Sequence, residues 1–431
     1  MTTTIRQRPI GANPIYWASF HDTFPHDWVV KAVGQMATSI KGKLPSVVLD
    51  KPTEHSKPYL LMEGLRGGAH FFTEDINLPS VTETDIIMIA DGSKSGYSLR
   101  GFSGVLGSTL LMFHAYDEVN PGYLFHLLSS LFPFLNSTTT GTAVPHLDQD
   151  LLLRLPLRIP EKPKEHEAIV RILDAVDTAI EQTKEAVERA QDAEHSLLHD
   201  VLENGLAGKL QSGNKRSSLW AFHRVDEVAE VGSGVTLGKD VSGFESVDLP
   251  YLRVANVQDG HLDLSVIKTV RVRVDEVEGY RLEAGDVLMT EGGDIDKLGR
   301  GMIWEGQIPK CLHQNHIFRV RANRELLNPY YFAFVVESDI AKRYFFRVAK
   351  RTTNLASINK TQLRAFRFPV PPLEEQEKIS GIIKAAKATT KGLIEKGNAF
   401  RDLKRALMHD LLTGKVRVNH AIDKILAAEA S

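Results

Sequence analysis

The amino-acid sequence predicts an α+β protein in which two similar globular domains are joined by two long coiled-coil helices. Three observations support this fold class. The chain of 431 residues repeats itself at an interval of about 200 residues. Each copy contains short β-rich runs separated by turn residues, and each ends in one long helical segment. The interval is several times longer than the unit of a solenoid, which has about 20–50 residues, so each copy is a whole domain.

The repeat is clearest in the two helical segments. The segment 195-HSLLHDVL-202 recurs as 405-RALMHDLL-412, which is a shift of 210 residues, and 165-EHEAI-169 matches 375-EQEKI-379 at the same shift. Near the start of the first globular part, Trp28 has its counterpart 192 residues later. The offset widens along the chain, which indicates loop insertions in the second copy.

The globular part of each copy consists of short runs typical of β-strands. Turn sequences that contain glycine, such as QDG and EAGD, separate these runs, and a helix follows them in each copy. We therefore expect each half to be dominated by twisted sheet. The predicted strands are 59-YLLME-63, 85-DIIMIA-90 and 109-TLLMF-113 in the first half and 251-YLRVANV-257, 266-VIKTVRVRV-274, 286-DVLMT-290, 301-GMIWEG-306 and 316-HIFRVRA-322 in the second, and the predicted helices cover Pro121 to Leu131 and Pro329 to Phe346.

The two long helical segments carry apolar residues at a spacing of seven, a seam that is typical of coiled coils. Each segment follows a proline-rich stretch, 160-PEKP-163 or 369-PVPP-372, and ends near a glycine, which are helix start and stop signals. At 1.5 Å per residue each helix is roughly 55–60 Å long. Two unrelated amphipathic helices are the alternative, but the shared phase of the two copies argues against it. The residues expected to pair the helices are Ile169, Ile172, Val176 and Leu197 in the first and Ile379, Ile382, Leu393, Phe400 and Leu407 in the second.

Composition excludes several classes of protein. A hydrophobic share of 42% and a charged share of 25% are ordinary for a globular protein, so a wholly disordered or fibrous chain is excluded. The 52 basic and 54 acidic residues leave a net charge of only −2, which by itself gives no sign of nucleic acid. A single cysteine excludes an internal disulfide framework and fits a reducing cytoplasm, where we expect the protein. We expect no signal peptide and no membrane span, since the apolar run Tyr123 to Leu135 is too short to cross a bilayer.

No motif of a catalytic or phosphate-binding site stands out. The sequence contains no GxxxxGK[ST] loop, so we expect no ATP hydrolysis by this chain. The stretch 328-NPYY-331 resembles the motif with which amino-methyltransferases hold a flipped base, but it lacks the second proline and opens a predicted helix. Cys311, His313 and His316 fall on different faces of a strand-like run, so we expect structural roles for them and no metal site.

One segment of the second half is locally basic. Residues 215–370 hold 23 basic and 20 acidic residues, whereas residues 1–150 hold 10 and 14. The run 342-KRYFFRVAKRTTN-354 interleaves basic residues with aromatic and small polar ones, which suits phosphate binding by Lys or Arg and base contacts by Arg or Asn. A solvated helix end has the same composition, and on this segment alone the two interpretations are equally good. The matching stretch of the first half, 136-NSTTTGTAVPH-146, has hydroxyl groups without the charge.

Several segments, in order along nearly the whole chain, resemble the specificity subunits of type I restriction–modification systems. Those similar to the family's conserved helical regions are 155-LPLRIPEKPKEHEAIVRIL-173, 366-FRFPVPPLEEQEKISGII-383 and 407-LMHDLLTGKVRV-418. Those similar to a target-recognition domain of the family are 250-PYLRVANVQDG-260, 285-GDVLMTEGG-293 and 351-RTTNLASINKTQL-363. The first domain matches more weakly, because 59-YLLMEGLRGG-68 lacks the RVANV pattern.

The resemblance implies a non-catalytic DNA-binding subunit. Two target-recognition domains would each bind one half of a split, asymmetric double-stranded DNA site. The two helices would pack antiparallel, set the spacing between the domains and dock two methyltransferase subunits, which restriction (translocase) subunits can join. S-adenosylmethionine and ATP with Mg²⁺ would then belong to those partners, with no cofactor or metal in this chain.

The resemblance also implies a division of the chain and a set of DNA-binding residues. The division is an N-terminal extension (1–27), target-recognition domain 1 (28–155), a central helical region (156–214), target-recognition domain 2 (215–365), a C-terminal helical region (366–418) and a tail (419–431). The candidate DNA-binding residues are Arg66, Lys94, Tyr97, Arg100, Thr139 and Thr140 in the first domain and Arg253, Asn256, Lys297, Arg300, Arg347, Lys350, Arg351, Thr353 and Asn354 in the second.

Two other functions fit the same sequence features. The chain could serve a methyltransferase-only complex without restriction, or it could be a coiled-coil scaffold with two protein-binding heads. Salt-sensitive DNA binding in the presence of the partners separates the first two functions from the scaffold.

Overall fold

The structure, a computed structural model, describes residues 25–65, 67, 70–141, 144–204, 220–258, 260–294, 298–352 and 355–418. Its contacts define two units, which we call unit 1 (Met1–Lys184 with Glu395–Ser431) and unit 2 (Glu185–Ile394). Both long helices are divided between the units. A division by contacts therefore differs from the division by sequence segments, which keeps each helix whole.

The described part of unit 1 contains ten short strands and four short helices before the first long helix. The strands are β1 (Trp28–Ala32), β2 (Ala37–Lys41), β3 (Lys57–Leu60), β4 (Phe71–Thr73), β5 (Ser80–Val81), β6 (Ile86–Ile89), β7 (Ser98–Leu99), β8 (Gly104–Leu106), β9 (Leu110–Ala115) and β10 (Pro156–Pro160), and the helices are α1 (Met62–Leu65), α2 (Pro121–Ser130), α3 (Phe132–Ser137) and α4 (Gln149–Arg154). The sheets have the orders β2-β9-β6-β7, β4-β3-β8-β5 and β1-β10. Because β1 and β10 pair antiparallel, the beginning and the end of the globular part lie side by side.

Strand β6 consists only of apolar residues, because both of its faces are buried. Its successive side chains point to opposite faces of the sheet. Ile86 and Met88 pack into a cluster with α2, whereas Ile87 and Ile89 pack against β3, β5 and β8. Both faces of the central sheet are therefore covered, and neither needs a polar side.

Unit 2 repeats this plan after the long helix α5 (Pro163–Asn204), and among the described residues it forms one further small sheet where unit 1 has isolated bridges. Its strands are β11 (Ala221–Arg224), β12 (Ala229–Ser233), β13 (Ser246–Leu252), β14 (Lys268–Arg273), β15 (Val287–Thr290), β16 (Gly292–Asp294), β17 (Gly301–Ile303), β18 (Leu312–His313), β19 (Ile317–Ala322), β20 (Lys350–Arg351), β21 (Leu355–Ser357) and β22 (Arg367–Val370), and its helices are α6 (Val225–Val228), α7 (Val277–Tyr280), α8 (Pro329–Glu337), α9 (Asp339–Val348), α10 (Lys360–Arg364) and the long helix α11 (Leu373–Leu412). The order β12-β19-β15-β17 matches β2-β9-β6-β7, and β11-β22 matches β1-β10. The small sheet β16-β21-β20 has two isolated bridges as its counterpart in the described part of unit 1, Asp91 with His146 and Thr140 with His146.

The helix predicted from Pro329 to Phe346 is two helices. Helix α8 ends at Glu337, and the next residue, Ser338, has an extended backbone conformation before α9 begins. The Ser338 hydroxyl donates a hydrogen bond of 2.6 Å to the carbonyl of Val335. This local competition for a helix carbonyl is a known way for serine to end a helix.

In each unit one part of α5 packs against one part of α11. In unit 1, Asp177 of α5 lies 2.5 Å from the Lys404 amine of α11. In unit 2, Glu194 of α5 lies 2.9 Å from the Lys387 amine of α11. A later residue of α5 thus meets an earlier residue of α11, so the helices are antiparallel. The predicted fold class is confirmed. Within the described residues no helix is long and apolar enough to cross a membrane.

The residues predicted to pair the helices differ in burial, and one of them faces outward. Ile169 and Ile379 are fully buried, and Leu197, Ile172 and Leu407 pack at the edges of the two main cores. The side chains of Val176, Leu393 and Phe400 are half-buried. The side chain of Ile382 is 42% exposed, and Ile383 is the buried residue instead. The apolar face continues at the i+4 position from Ile379, as the 3.6-residue period of a helix allows.

The end of α11 closes unit 1. The Arg417 guanidinium donates two hydrogen bonds to Asp27 (2.8 and 3.0 Å) and two to Glu165 (2.8 and 2.9 Å). These bonds hold the pKa of Arg417 above its usual value. Gly414 has a φ of +68°, and an added Cβ would lie 2.5 Å from Cγ of Pro25. The residues after α11 therefore secure the chain just before β1.

We expect Gly414→Ala to destabilise unit 1 by about 1–3 kcal/mol, because the new side chain meets a left-handed backbone and a blocked space. Thermal unfolding measures the loss, and faster hydrogen exchange at residues 25–32 assigns it to unit 1. Gly392→Ala is the matched control, since a Cβ there meets nothing within 4 Å. A helix interior favours alanine over glycine by up to about 1 kcal/mol, so the control should be as stable as the wild type or more stable. Equal melting temperatures for the two variants would contradict the assignment.

Candidate nucleic-acid interface

The small sheet β16-β21-β20 of unit 2 presents two of the predicted basic residues. Strand β21 pairs with β16 on one side and with β20 on the other, and β20 consists of Lys350 and Arg351. Both side chains are exposed. The close approach of β16 to β21 needs a glycine, because a Cβ on Gly292 would lie 2.8 Å from the carbonyl oxygen of Ala356. Gly292 of β16 therefore allows β21 to pair with it, and β21 in turn holds the basic strand β20 on its other side.

Arg347, Lys350 and Arg351 belong to the locally basic run of unit 2. None of the three has an acidic partner among the described residues. The Arg347 guanidinium lies 5.7 Å from the ring of Tyr344, and that of Arg351 lies 4.2 Å from the ring of Phe346. An arginine held against a ring keeps its hydrogen-bond donors for an anion.

The other arginine pairs of unit 2 are neutralised by carboxylates. Arg271 bonds to Asp248 and Arg273 to Asp275, while Arg319 bonds to Glu230 at 3.1 Å. Arg321 binds Asp286 through two hydrogen bonds of 2.8 Å. Sequence clustering alone could not separate these paired arginines from the unpaired ones on α9 and β20.

Arg300 lies in a cleft of about 500 Å³ close to β16. Val254, Val257, Gln258, Thr290, Gly292 and Gly293 complete its lining. The guanidinium of Arg300 donates a hydrogen bond of 2.7 Å to the side-chain oxygen of Gln258. The cleft is open and polar enough to admit a phosphate or a base edge. Gln258 is a site residue that the sequence did not indicate, beyond its place in the turn QDG.

Arg253 and Asn256 belong to the turn behind this cleft. Asn256 is 2% exposed; its oxygen accepts a hydrogen bond from the backbone of Arg253, and its amide donates to the carbonyls of Asp263 and Val266. Arg253 is half-buried and donates to the same Val266 carbonyl at 3.1 Å. The Asn256 side chain is therefore used inside the domain and shapes the turn.

In unit 1 four predicted residues meet on one surface. Lys94 and Tyr97 are exposed on the turn between β6 and β7, and Thr139 and Thr140 follow α3. Asn136 joins the two segments, because its side-chain amide donates hydrogen bonds of 3.1 Å to the carbonyls of residues 93 and 95. This surface is equivalent in topology to the one around β16 and β20, but it carries hydroxyls where unit 2 carries guanidinium groups.

Arg100 is not part of that surface. Its guanidinium bonds to Asp174 on α5 and lies 4.4 Å from the ring of Phe125. This placement ties Arg100 to the base of α2 and α5, inside unit 1. The remaining predicted DNA-binding residues, Arg66, Lys297, Thr353 and Asn354, lie outside the described residues.

The residues considered for catalysis have structural roles. The Asn328 side chain caps α8 by accepting from the backbone amides of Tyr330 and Tyr331, and the Tyr331 hydroxyl donates to the buried carbonyl of Pro369 at 2.8 Å. Asn120 caps α2 in the same way in unit 1. The Asn-Pro pair is therefore a helix start that both copies share.

The residues considered for metal binding are also accounted for. Burial raises the pKa of the Cys311 thiol to about 12 and lowers that of His313 to about 4. His316 is exposed and lies 2.6 Å from Glu291. Among the residues that the structure describes, one group comes together that the sequence did not suggest, His126 with Asp174 and Asp177. Arg100 and Lys404 already bind its two carboxylates, so charge in this group is balanced without a metal.

Both halves of the chain are similar to one known protein family. The model of the type I restriction modification DNA specificity domain matches twice, at residues 25–189 and 217–398. The chain therefore belongs to the type I restriction–modification specificity family, whose members are non-catalytic specificity subunits.

Individual relatives cover most of the chain. It is 26% identical over 408 residues to the specificity subunit of the type I restriction enzyme MjaVIII from Methanocaldococcus jannaschii, an alignment that covers 92% of this chain and 94% of the relative. It is 22% identical to the EcoKI specificity subunit of Escherichia coli, over 82% of this chain and 81% of that one. The fold is similar to the crystal structure of a type I restriction–modification S subunit from M. genitalium, with a TM-score of 0.59 at 14% identity over 91% of this chain and 97% of that one.

We expect Asn256→Ala to lower the stability of unit 2 by about 2 kcal/mol, because it leaves buried backbone groups without partners. The melting temperature should fall by about 5 °C. DNA affinity measured well below that temperature should stay within about threefold of wild type. Lys268→Ala on the exposed edge strand β14 is the control and should change neither quantity. A large loss of affinity at unchanged stability would instead make Asn256 a DNA contact.

Proposed function

We propose that this chain is the DNA-binding specificity subunit of a type I restriction–modification complex, in which each globular domain binds one half of a bipartite, asymmetric DNA site. The observation that carries the proposal is a shared sheet topology with different exposed surfaces. Unit 2 offers Arg347, Lys350 and Arg351, whereas unit 1 offers Lys94, Tyr97 and two threonines at the equivalent place. One frame with two different surfaces suits two different half-sites.

The two surfaces favour different contacts with DNA. Arginine and lysine near a duplex bind phosphates and can donate two hydrogen bonds to guanine, whereas threonine and tyrosine supply hydroxyls and apolar contacts. The cleft around Arg300 and Gln258 offers both a guanidinium and an amide to a base edge. Since the whole chain has a net charge of −2, its own affinity for DNA is modest, and partner subunits supply part of the binding energy.

The long helices are the proposed docking and spacing elements. Helices of 42 and 40 residues are about 60 Å long, which is less than two turns of DNA at about 34 Å each. The half-sites would then be several base pairs apart. Two methyltransferase subunits would dock on these helices and bring S-adenosylmethionine, and restriction subunits would bring ATP and Mg²⁺. The complex would act in the cytoplasm, where its DNA substrate lies.

The decisive experiment is sequencing of modified bases in cells with and without this chain. We expect a methylated split motif that disappears when the chain is removed. Loss of phage restriction in the same cells would show that a nuclease subunit takes part, whereas unchanged restriction would support a methyltransferase-only complex. No change in any split motif would favour the scaffold function.

We expect Arg351→Ala to weaken binding of the assembled complex to its DNA by about 5- to 150-fold, the range for one lost base or phosphate contact of about 1–3 kcal/mol. The loss should be confined to the half-site of unit 2, and co-purification with the methyltransferase should be unchanged. Arg271→Ala is the matched control, because Arg271 is exposed on β14 and already paired with Asp248. Loss of assembly in the Arg351 variant would make the residue structural.

A further inference from the structure

Within each unit a charged pair joins α5 to α11 among the described residues. In unit 1, Asp177 and Lys404 are 30% and 23% exposed and lie 2.5 Å apart. In unit 2, Glu194 and Lys387 are 18% and 28% exposed and lie 2.9 Å apart. Both pairs are far less exposed than an ordinary surface ion pair. Removal or reversal of one charge therefore lowers the stability of the protein more at these positions than at the surface.

The unit 2 pair is further supported by its neighbours. Glu194 accepts a hydrogen bond of 3.0 Å from the Thr390 hydroxyl, and Lys387 also lies 2.7 Å from Glu337 at the end of α8. Desolvation is the largest influence on the Lys387 amine and lowers its pKa, but Glu337 and Glu194 together outweigh it, and the pKa lies above the usual value. The amine is therefore charged, and it holds both carboxylates.

The internal repeat relates the two pairs to each other. At the shift of 210 residues, Asp177 corresponds to Lys387 and Glu194 corresponds to Lys404. The pairs thus occupy the same two positions of the repeat. In both copies of the arrangement the acid is on α5 and the lysine is on α11.

This arrangement distinguishes the two helices from each other. If α5 packed in the same register against α5 of a second chain, Asp177 would face Glu194, and carboxylate would meet carboxylate. If α11 packed against a second α11, Lys387 would face Lys404. Like charges at such partly buried positions repel, whereas the native pairing places opposite charges together.

Some apolar positions near the ends of the two helices make no such distinction, whereas equivalent positions in the middle, such as Thr183 and Leu393, differ in size. Ile169 and Ile379 occupy equivalent positions and are both buried, and so do Leu202 and Leu412. A repeated sequence therefore contains a built-in risk of like-with-like pairing between chains. Only the charged positions differ in sign between the two helices.

We propose that the pairs Asp177–Lys404 and Glu194–Lys387 are the specificity determinants of helix pairing, so that α5 accepts α11 and rejects a second copy of itself. As a consequence, α5 pairs with α11 of its own chain, and the assembly contains a single copy of this subunit. This inference goes beyond the proposed function and does not depend on DNA binding.

The test uses three full-length variants, all with Glu337→Gln so that a new carboxylate at position 387 faces an amide. The first, Asp177→Lys with Glu194→Lys, makes the α5 positions basic. The second, Lys387→Glu with Lys404→Glu, makes the α11 positions acidic. The third combines all four changes. We expect the first two to melt at least about 5 °C below the Glu337→Gln parent and the third to recover more than half of that loss.

The control for the first variant is Glu181→Lys with Glu188→Lys, which makes the same change in charge at exposed positions of α5. This control should melt within about 2 °C of the parent. If the first two variants are insoluble, the third decides: a soluble protein that melts near the parent supports the proposal. The proposal would be overturned if the third variant lost as much melting temperature as the first and second variants together. It would also be overturned if the first variant lost no more than its control.

Partner choice is measured by co-expression of the first and second variants with different affinity tags. Across two chains, basic α5 fits acidic α11, and native α5 fits native α11. We expect purification on both tags to recover at least ten times more complex of the first variant with the second than of two differently tagged copies of either variant. Two differently tagged copies of the parent should give no complex. Equal recovery of all combinations would mean that the charges do not select the partner.

Discussion

The structure depends on the packing of two long helices into the cores of the globular units. In unit 2, Leu198 and Leu202 of α5 share one apolar cluster with Ile379 and Ile383 of α11 and with the central sheet. In unit 1, the cluster under the sheet contains residues from the start of α5 and from the end of α11. Neither core is complete without a segment from far along the chain. This constraint explains why the long helices, which are short of apolar residues on their outer faces, are stable at all.

The same constraint leaves the opposite surfaces of the units free to differ. Sheet order, helix caps and buried tyrosines are shared by the two copies, because they build the cores. The exposed segments around β16 and β20 in unit 2 and after α3 in unit 1 make few demands on those cores. They can therefore carry guanidinium groups in one copy and hydroxyls in the other without loss of the common fold. Divergence on a shared frame is what an asymmetric DNA site would require.

Much of this arrangement could be predicted from local pattern. The repeat, the long helices and the central strands follow from spacing and turn residues, and Lys94, Lys350 and Arg351 do lie on exposed edges. Other features could not be predicted from local pattern, because they depend on which groups meet in the folded protein. Arg100 is bound to Asp174, Ile382 faces outward while Ile383 is buried, and the Asn256 amide is used by its own turn. An isolated sequence shows the type of a side chain, but not the group that occupies its hydrogen bonds.

The sequence by itself determined the two-fold plan, the family and the antiparallel helices that the family implies, because periodicity and repeated motifs are properties of neighbouring residues. Only the tertiary structure decided which charges remain available and which are neutralised, and it alone placed Asp177 and Glu194 of α5 against Lys404 and Lys387 of α11. The physical reason is that electrostatic energy depends on distances between groups that the chain order separates by hundreds of residues. The net charge of −2 therefore does not show where the charges lie: some form a positive edge on unit 2, and others form ion pairs between α5 and α11.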